Sequence, residues 1–574
     1  NEQADFVNDK EFKKYITRTL GKQSIQIVEG SFLMEVTKAL PDTLEAFTSS
    51  FIESVDSGTL KNVDVFKRRI LGLTSYFKSA QEKLMPAYDS LTDTYVIRIP
   101  MSNYQFGKYE EVRTEERKKE NSPAKQKRKK SDLFDEFSST YRIFSRAFCN
   151  FVFPRPDITR PMPGGDEVNE DLLADADEDL LDSGVKLENV DGRSDPEEVG
   201  VTASGTTHAY EARIKAALSM LNDQKTKYLS KKALKTYSPK FLAVLGNIEA
   251  NKGKHLVYSQ FRTLEGIEIL KLVLEANGFA PFRISNSSGL WRVITRPGEV
   301  GKPRFVLYTG TESAEMKEIV RNVYNGDWDF VPPSILEDLK IEDNNERGSV
   351  ISVFMITASG AEGISLKNTK YVHLLEPYWH PVRIEQVIGR ARRICSHEGL
   401  PAAERTVDVF LYLMQFSKSQ LENDATIELR LNDVSKKTGE PFTSDQALYE
   451  ISSIKQEVNE VLLDAVKEAS IDCALHYKLG KNKKELKCFS FGTVDPNKFS
   501  YAGSYLEEET DDISQQNRVT IDLGAVDITL RGKKYAYVKE TGAVYDYDSY
   551  INGQAVQIGT LTTAKNGKKV LDFL

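Results

Sequence analysis

Gln386, Gly389, Arg390 and Arg393 stand at i, i+3, i+4 and i+7 within Glu385-Gln-Val-Ile-Gly-Arg-Ala-Arg-Arg393. On a helix that spacing gathers them on one face. Glycine inside a helix costs about 1 kcal/mol against alanine, so this stretch is not composed for local helix stability. Two guanidiniums on one face suit a polyphosphate, and one of them can neutralise charge developing on a transferring γ-phosphate. Upstream, Ile356-Thr-Ala-Ser-Gly-Ala-Glu-Gly-Ile-Ser-Leu366 follows an apolar run. Its small residues let a backbone approach a ligand closely, and the hydroxyls of Thr357, Ser359 and Ser365 suit phosphate or a metal-bound water. Val306-Leu-Tyr-Thr-Gly-Thr-Glu312 and Leu256-Val-Tyr-Ser-Gln-Phe261 each place a polar loop between an apolar run and a helical pattern. The backbone N–H groups at such helix starts can hold phosphate. Ser313 equally fits a plain N-cap. Taken singly, each of these four elements has an ordinary structural explanation.

The elements that must position them alternate. Apolar strands are expected at His255–Tyr258, Phe305–Tyr308, Val350–Ile356, Tyr371–Leu375 and Val407–Met414, with helices between, as at Phe241–Glu249, Leu264–Ala276 and Ala314–Val323. That alternation implies an α/β fold with a doubly wound parallel sheet, whose strand-end loops face one edge. Phe66–Phe77 reads as a basic amphipathic helix, Tyr95–Pro100 as a strand, Tyr104–Glu120 and Val458–Ser470 as helical. The tail from Val519 is rich in Val, Thr, Tyr and Gly, and Tyr535–Val538 and Ala543–Tyr547 flank a turn with Gly542, a hairpin signal. A small β-rich C-terminal module follows from that.

A chain of 574 residues is too long for one core. The expected plan is a helical and strand-bearing region over 1–130, an acidic linker region over 131–209, the α/β lobe over 210–420, a helical extension over 421–518 and the β-rich module over 519–574. Arg117–Lys130 holds eight basic residues and one acid; Asp166–Glu198 holds fourteen acids and two basic residues, the composition of a weakly ordered linker. Net charge is −8, so a nucleic-acid surface must be a local groove and not a uniformly basic face. No apolar run approaches the roughly 18 residues of a membrane span. Cys149, Cys395, Cys473 and Cys488 lie far apart without C-x-x-C, which argues against a zinc site and against disulfides.

In order and spacing the four elements resemble superfamily 2 helicase-like ATPases. Thr357–Leu366 resembles motif V, and Gln386-Val-Ile-Gly-Arg-Ala-Arg-Arg393 resembles motif VI, Q-x-x-G-R-x-x-R. Glu376-Pro-Tyr-Trp-His-Pro381 resembles the D-x-x-W-N-P segment of the Swi/Snf-like branch, with Glu376 for Asp and His380 for Asn, and Tyr258–Phe261 resembles that branch's motif IV region. A narrower resemblance, through Arg68–Tyr76, Met101–Gln105 and Thr357–Leu366, is to transcription-associated helicases of large DNA viruses, such as poxvirus nucleoside triphosphatase I and the early transcription factor small subunit. The resemblance implies a RecA-like lobe facing a second lobe across ATP and Mg2+, with Arg393 as arginine finger beside Arg390 and Gln386. It implies Gly360, Glu362 and Gly363 at the lobe interface, and Ser259, Gln260, Thr309, Thr311, Thr357 and Ser359 on nucleic acid. It also implies a DNA track, more in keeping with duplex, an RNA polymerase or transcription-factor partner, and action in the virion or the host cytoplasm.

The sequence departs from that family in one serious respect. No G-x-x-x-x-G-K-[ST] occurs; Gly298-Glu-Val-Gly-Lys302 lacks both the spacing and the hydroxyl, and Asp135-Glu136 follows no apolar strand. The phosphate-cradling lobe and the Mg2+ ligands are therefore expected outside these residues, with 1–130 ending that first lobe and connecting it onward. The alternative is a non-catalytic subunit that keeps the lobe as a scaffold for nucleic acid or polymerase.

Overall fold

The computed structural model describes residues 9–573 apart from 29–37, 55–57, 76–83, 121–141, 162–202, 310–311, 340–343, 358–362, 423–426, 474–485, 487, 489–524, 531–532, 540, 552–555 and 564–568. Most of the basic run and all of the acidic run lie outside the described residues. By internal contacts the chain divides into two units, one of residues 52–61 and 78–462, the other of residues 1–51, 62–77 and 463–574.

The larger unit is built on seven parallel strands: β1 (Thr94–Pro100), β2 (Lys254–Tyr258), β3 (Ala280–Pro281), β4 (Arg304–Tyr308), β5 (Val353–Ile356), β6 (Thr369–Leu374) and β7 (Asp408–Gln415). Their order across the sheet is β1-β7-β6-β2-β5-β4-β3. In the centre Leu256 is level with Phe354 on one side and Val372 on the other. All of β2 and β5 is buried, as expected for parallel strands covered on both faces. Alternate side chains feed two cores. Val257, Phe305, Met355 and Met414 join one, which helices α2 (Ile143–Asn150), α3 (Pro239–Ala250) and α4 (Ile267–Ala276) cover. Leu256, Tyr258, Val306, Phe354 and Leu374 join the other, under α5 (Ala314–Asn325) and α6 (Pro381–Ala391). This is the α/β, doubly wound parallel sheet that the strand–helix alternation implied.

The edge strand was not expected here. β1 pairs with β7 from Thr94↔Val409 to Pro100↔Gln415, so a segment expected in the region before the acidic linker completes this sheet. Pro100 can end a strand because the next amide, Met101 N–H, resumes the ladder to Gln415 O at 2.9 Å. The helix Asn103–Glu120 follows, and its buried Gln105 donates to Phe148 O (2.8 Å) and Cys149 O (3.2 Å), fastening it to α2. Helix Ser444–Glu468 begins in this unit, which ends at residue 462.

In the smaller unit the helix expected over Phe66–Phe77 runs only Val63–Ile70. Leu71 leaves the helical region at ψ 125° and Gly72 takes φ +78°, a conformation glycine adopts without penalty. The tail forms a five-stranded antiparallel sheet over Val526–Leu530, Lys533–Tyr537, Ala543–Asp546, Gln557–Thr563 and Lys569–Phe573. The hairpin signalled in the sequence is its second turn, with Gly542 at φ +73° and Val538 N–H bonded to Ala543 O at 2.9 Å. Cys473 and Cys488 form a disulfide with a Cα–Cα distance of 5.6 Å, contrary to the expectation from spacing. Cys–x14–Cys gives no local signal in the sequence.

Candidate functional site

The central strands β6, β2, β5 and β4 are neighbours, and the four motif-bearing segments leave their carboxyl ends. That edge, beside the point where chain order reverses around β2, is where ligands bind in such sheets. The segment after β5 emerges at Gly363, exposed with φ +67°, and then buries Ile364 and Leu366. Asn325, at the end of α5, donates from Nδ2 to Ser365 O (3.0 Å) and accepts from Lys367 N–H (2.9 Å). Leu366 N–H donates to Arg390 O at 3.0 Å, and Asn368 N–H to Ser396 O at 2.8 Å. The end of the Gly-rich segment is thus clamped to the arginine-bearing segment by backbone bonds.

Helix α6 starts with Pro381 at its first position, and His380 Nδ1 accepts from Val382 N–H at 3.2 Å. An imidazole in place of asparagine therefore still caps the helix. Val387, Ile388 and Ala391 bury one stripe, while Gln386 is exposed and Gly389 and Arg390 are half-buried. The helix ends at Ala391. Arg393 is therefore not on the helical face assumed from its spacing. Ser396 Oγ donates to Ala391 O (3.2 Å) and accepts from Arg393 N–H (3.3 Å), turning the chain out of the helix. Among the described residues the half-buried side chain of Arg393 has no ion-pair partner.

The segment after β2, where phosphate contact was expected, is bonded mostly within the protein. Ser259 is fully buried and donates to Glu376 Oε1 at 2.7 Å. Gln260 N–H donates to Glu376 Oε2 at 2.9 Å, and its side chain donates to Pro377 O at 3.1 Å and accepts from Arg146. The first amides of α4 are also occupied, Ile267 N–H by Phe261 O and Glu268 N–H by Arg262 O, each at 3.0 Å. Only Gln260, Arg262 and Thr263 of this loop are even partly accessible. Thr309 is buried and bonded through both N–H (2.9 Å) and hydroxyl (3.0 Å) to Glu312. Thr357 is buried as well. Thr311, Ser359, Gly360 and Glu362 lie outside the described residues.

Residues missed in the sequence complete this buried layer. Glu376 also accepts from Asn150, and Asn150 Oδ1 accepts from Lys240 Nζ at 2.8 Å. Lys240 uses its other two donors on Leu375 O (2.9 Å) and Asp445 (2.7 Å). Glu265 holds Arg160 through two bonds of 2.6 and 2.9 Å. Burial raises the Glu376 carboxyl above its usual range, against the Lys240 charge and three hydrogen bonds that lower it. One signal was available: Lys240 sits at the i−4 position of the apolar stripe Val244–Ile248, and a cation in a core stripe demands a buried partner. Among the described residues no group of His, Cys, Asp and Glu could hold a metal, and no helix is long and apolar enough to cross a membrane.

No protein-family model matches the chain. A protein of Acanthamoeba polyphaga mimivirus described as an ATP-dependent RNA helicase is 26% identical over 542 residues, covering 85% of this chain and 59% of that protein. A termination factor NPH-I homolog of African swine fever virus is 26% identical over 326 residues, covering 55% and 43% respectively. The C-terminal part of the Fun30 ATPase domain matches at a TM-score of 0.29 and 14% identity, over 66% of this chain and 99% of that one. The relatives this chain resembles are thus viral proteins, described as ATP-dependent RNA helicases and termination factor NPH-I homologs. The chain spans about half the length of the curated relatives it matches.

Proposed function

We propose that this chain supplies the second motor lobe of an ATP-dependent nucleic-acid translocase that serves viral transcription. The observation that carries the reading is the backbone clamp between Leu366 and Arg390, which fixes the Gly-rich segment against the arginines at the ligand-binding edge of the sheet. Gln386, Arg390 and Arg393 are the groups that would meet nucleotide, Arg393 as the finger. The Arg393 guanidinium has no acidic partner among the described residues, and with the exposed Gln386 amide it fits a polyphosphate. Bound ATP with Mg2+ would supply the phosphoryl group whose transfer these cations favour. Gly363 and the neighbouring Gly360 and Glu362 would meet the other lobe and pass its movement on. Phosphate-backbone contact, without sequence readout, would come from Thr311, Ser359 and the accessible Arg262–Thr263 tip.

No P-loop sequence occurs among these residues, so the reading requires a P-loop lobe from elsewhere in the protein or from a partner. Duplex DNA is the favoured track, through the resemblance of Tyr378–Pro381, with an RNA polymerase or transcription factor as partner. The test is ATP hydrolysis by the chain joined to its P-loop lobe, with and without duplex DNA or RNA. Stimulation by duplex DNA supports the reading. Nucleic-acid binding without hydrolysis in that assembly would support the scaffold reading instead.

A further inference from the structure

The Ser259–Gln260 segment and the start of α6 are separate in sequence but joined three ways. Leu375 N–H donates to Tyr258 O at 3.0 Å, Gln260 Nε2 donates to Pro377 O at 3.1 Å, and the Glu376 carboxylate accepts from both Ser259 Oγ and Gln260 N–H. The first is a backbone link between adjacent strand ends, and the second is a side-chain bond between the loops that follow them. The third is a side chain whose two oxygens are divided. Oε1 takes Ser259 and Asn150; Oε2 takes the Gln260 amide. Glu376 is wholly buried, so no water can replace a lost partner. Four residues later His380 caps α6, and the helix then carries Gln386 and Arg390.

We propose that Glu376 is the positioning residue that couples the loop after β2 to the arginine-bearing helix, so that engagement of nucleic acid at the Arg262–Thr263 tip sets the placement of Arg390 and Arg393. The proposal rests on the second-lobe reading above. The mechanism is rigidity. A carboxylate accepting from a backbone amide, a hydroxyl and an amide side chain makes charge-assisted bonds, roughly twice as strong as neutral ones. It therefore holds the β2 loop, the β6–α6 connection and α2 in one geometry. Displacing the loop must then drag the helix start with it. Lys240 offsets part of the burial cost through the Asn150 relay and the Leu375 carbonyl. Arg146, whose cation lies 5.5 Å from the Phe261 ring, braces Gln260 from the other side.

Glu376→Gln preserves the shape but turns one acceptor oxygen into an NH2 donor, which then faces a donor that oxygen had accepted from. The measurement is ATP turnover of the chain assembled with its P-loop lobe, across a duplex DNA titration, for wild type, Glu376→Gln and Ser259→Ala. Coupling predicts that Glu376→Gln loses at least fivefold of the DNA stimulation factor while basal turnover per folded molecule stays within twofold. Ser259→Ala, a milder change that removes one donor, loses about twofold of the factor and covers the case in which Glu376→Gln does not fold. A purely structural role lowers basal and stimulated rates together and leaves their ratio unchanged; that ratio in either folded variant overturns the proposal. A wild-type assembly that hydrolyses ATP without any response to DNA overturns the second-lobe reading, and the coupling falls with it.

Discussion

The amide of Leu366 donates to the carbonyl of Arg390 across 3.0 Å, so the last residue of the Gly-rich segment and the second arginine of the helix are one mechanical piece. Asn325 finishes the clamp by filling the donor and acceptor on either side of Leu366. Asn325→Leu takes away the partner of Ser365 O and Lys367 N–H in a half-buried setting. We expect a loss of about 2 kcal/mol, read as a lower midpoint in urea denaturation, and faster amide exchange at Leu366. Unchanged exchange at Leu366 would show that the clamp does not depend on Asn325.

Gly266 admits no side chain. A Cβ there would lie 1.6 Å from Phe261 O, a backbone atom that already accepts from Ile267 N–H. Gly266→Ala is expected to cost about 3 kcal/mol or more, the range of severe overpacking. A thermal melt within a degree of wild type would refute the tight loop.

His255 and His373 form a proton-ordered relay. Asn251 O can only accept, so His255 Nε2 carries hydrogen; His373 Nε2 then donates to His255 Nδ1 at 3.0 Å, and Tyr412 donates to His373 Nδ1 at 2.8 Å. Burial holds His255 down to about 4 and His373 well below its usual value. Both stay neutral in the folded chain while the unfolded chain takes protons near pH 6.5, so stability falls as pH drops from about 6.5 towards 4. At pH 5 the neutral His255 imidazole costs about 2 kcal/mol by that linkage, and His373 adds to the loss in the same direction. His255→Gln should flatten the stability–pH curve by roughly one proton over that window; an unaltered slope would contradict the relay.

Lys254 titrates in the opposite part of the scale. Its amine is buried under Tyr324 and bonded to the Tyr324 and Lys367 carbonyls, and burial brings it down to about 7 despite Asp327 and Glu346 nearby. The unfolded chain keeps that proton to about pH 10.4. Wild type therefore gains stability as pH rises from about 7 to 10, and Lys254→Met should lack that gain. Parallel curves for the two proteins would show that Lys254 is not desolvated.

Much of the lobe was legible because its signals are local. Buried parallel strands read as apolar runs, and β2, β4, β5, β6 and β7 fall within a few residues of their expected places. The motif segments were equally readable, and the sheet gathers them at one edge. What was not legible depended on distant partners. Nothing in Tyr95–Pro100 announces pairing with β7, some three hundred residues later. Ser259 looks like a phosphate ligand until Glu376 is seen to occupy it. Helical spacing placed Arg393 on the face of Arg390, yet Ser396 ends the helix first by capping Ala391 O.

The central claim is tested most directly at Arg393. In the chain assembled with its P-loop lobe, Arg393→Ala should lower ATP turnover in duplex DNA by about a thousandfold or more, with the thermal midpoint unchanged, because the described structure gives the side chain no ion pair to lose. Turnover equal to wild type in a folded Arg393→Ala protein would contradict the account.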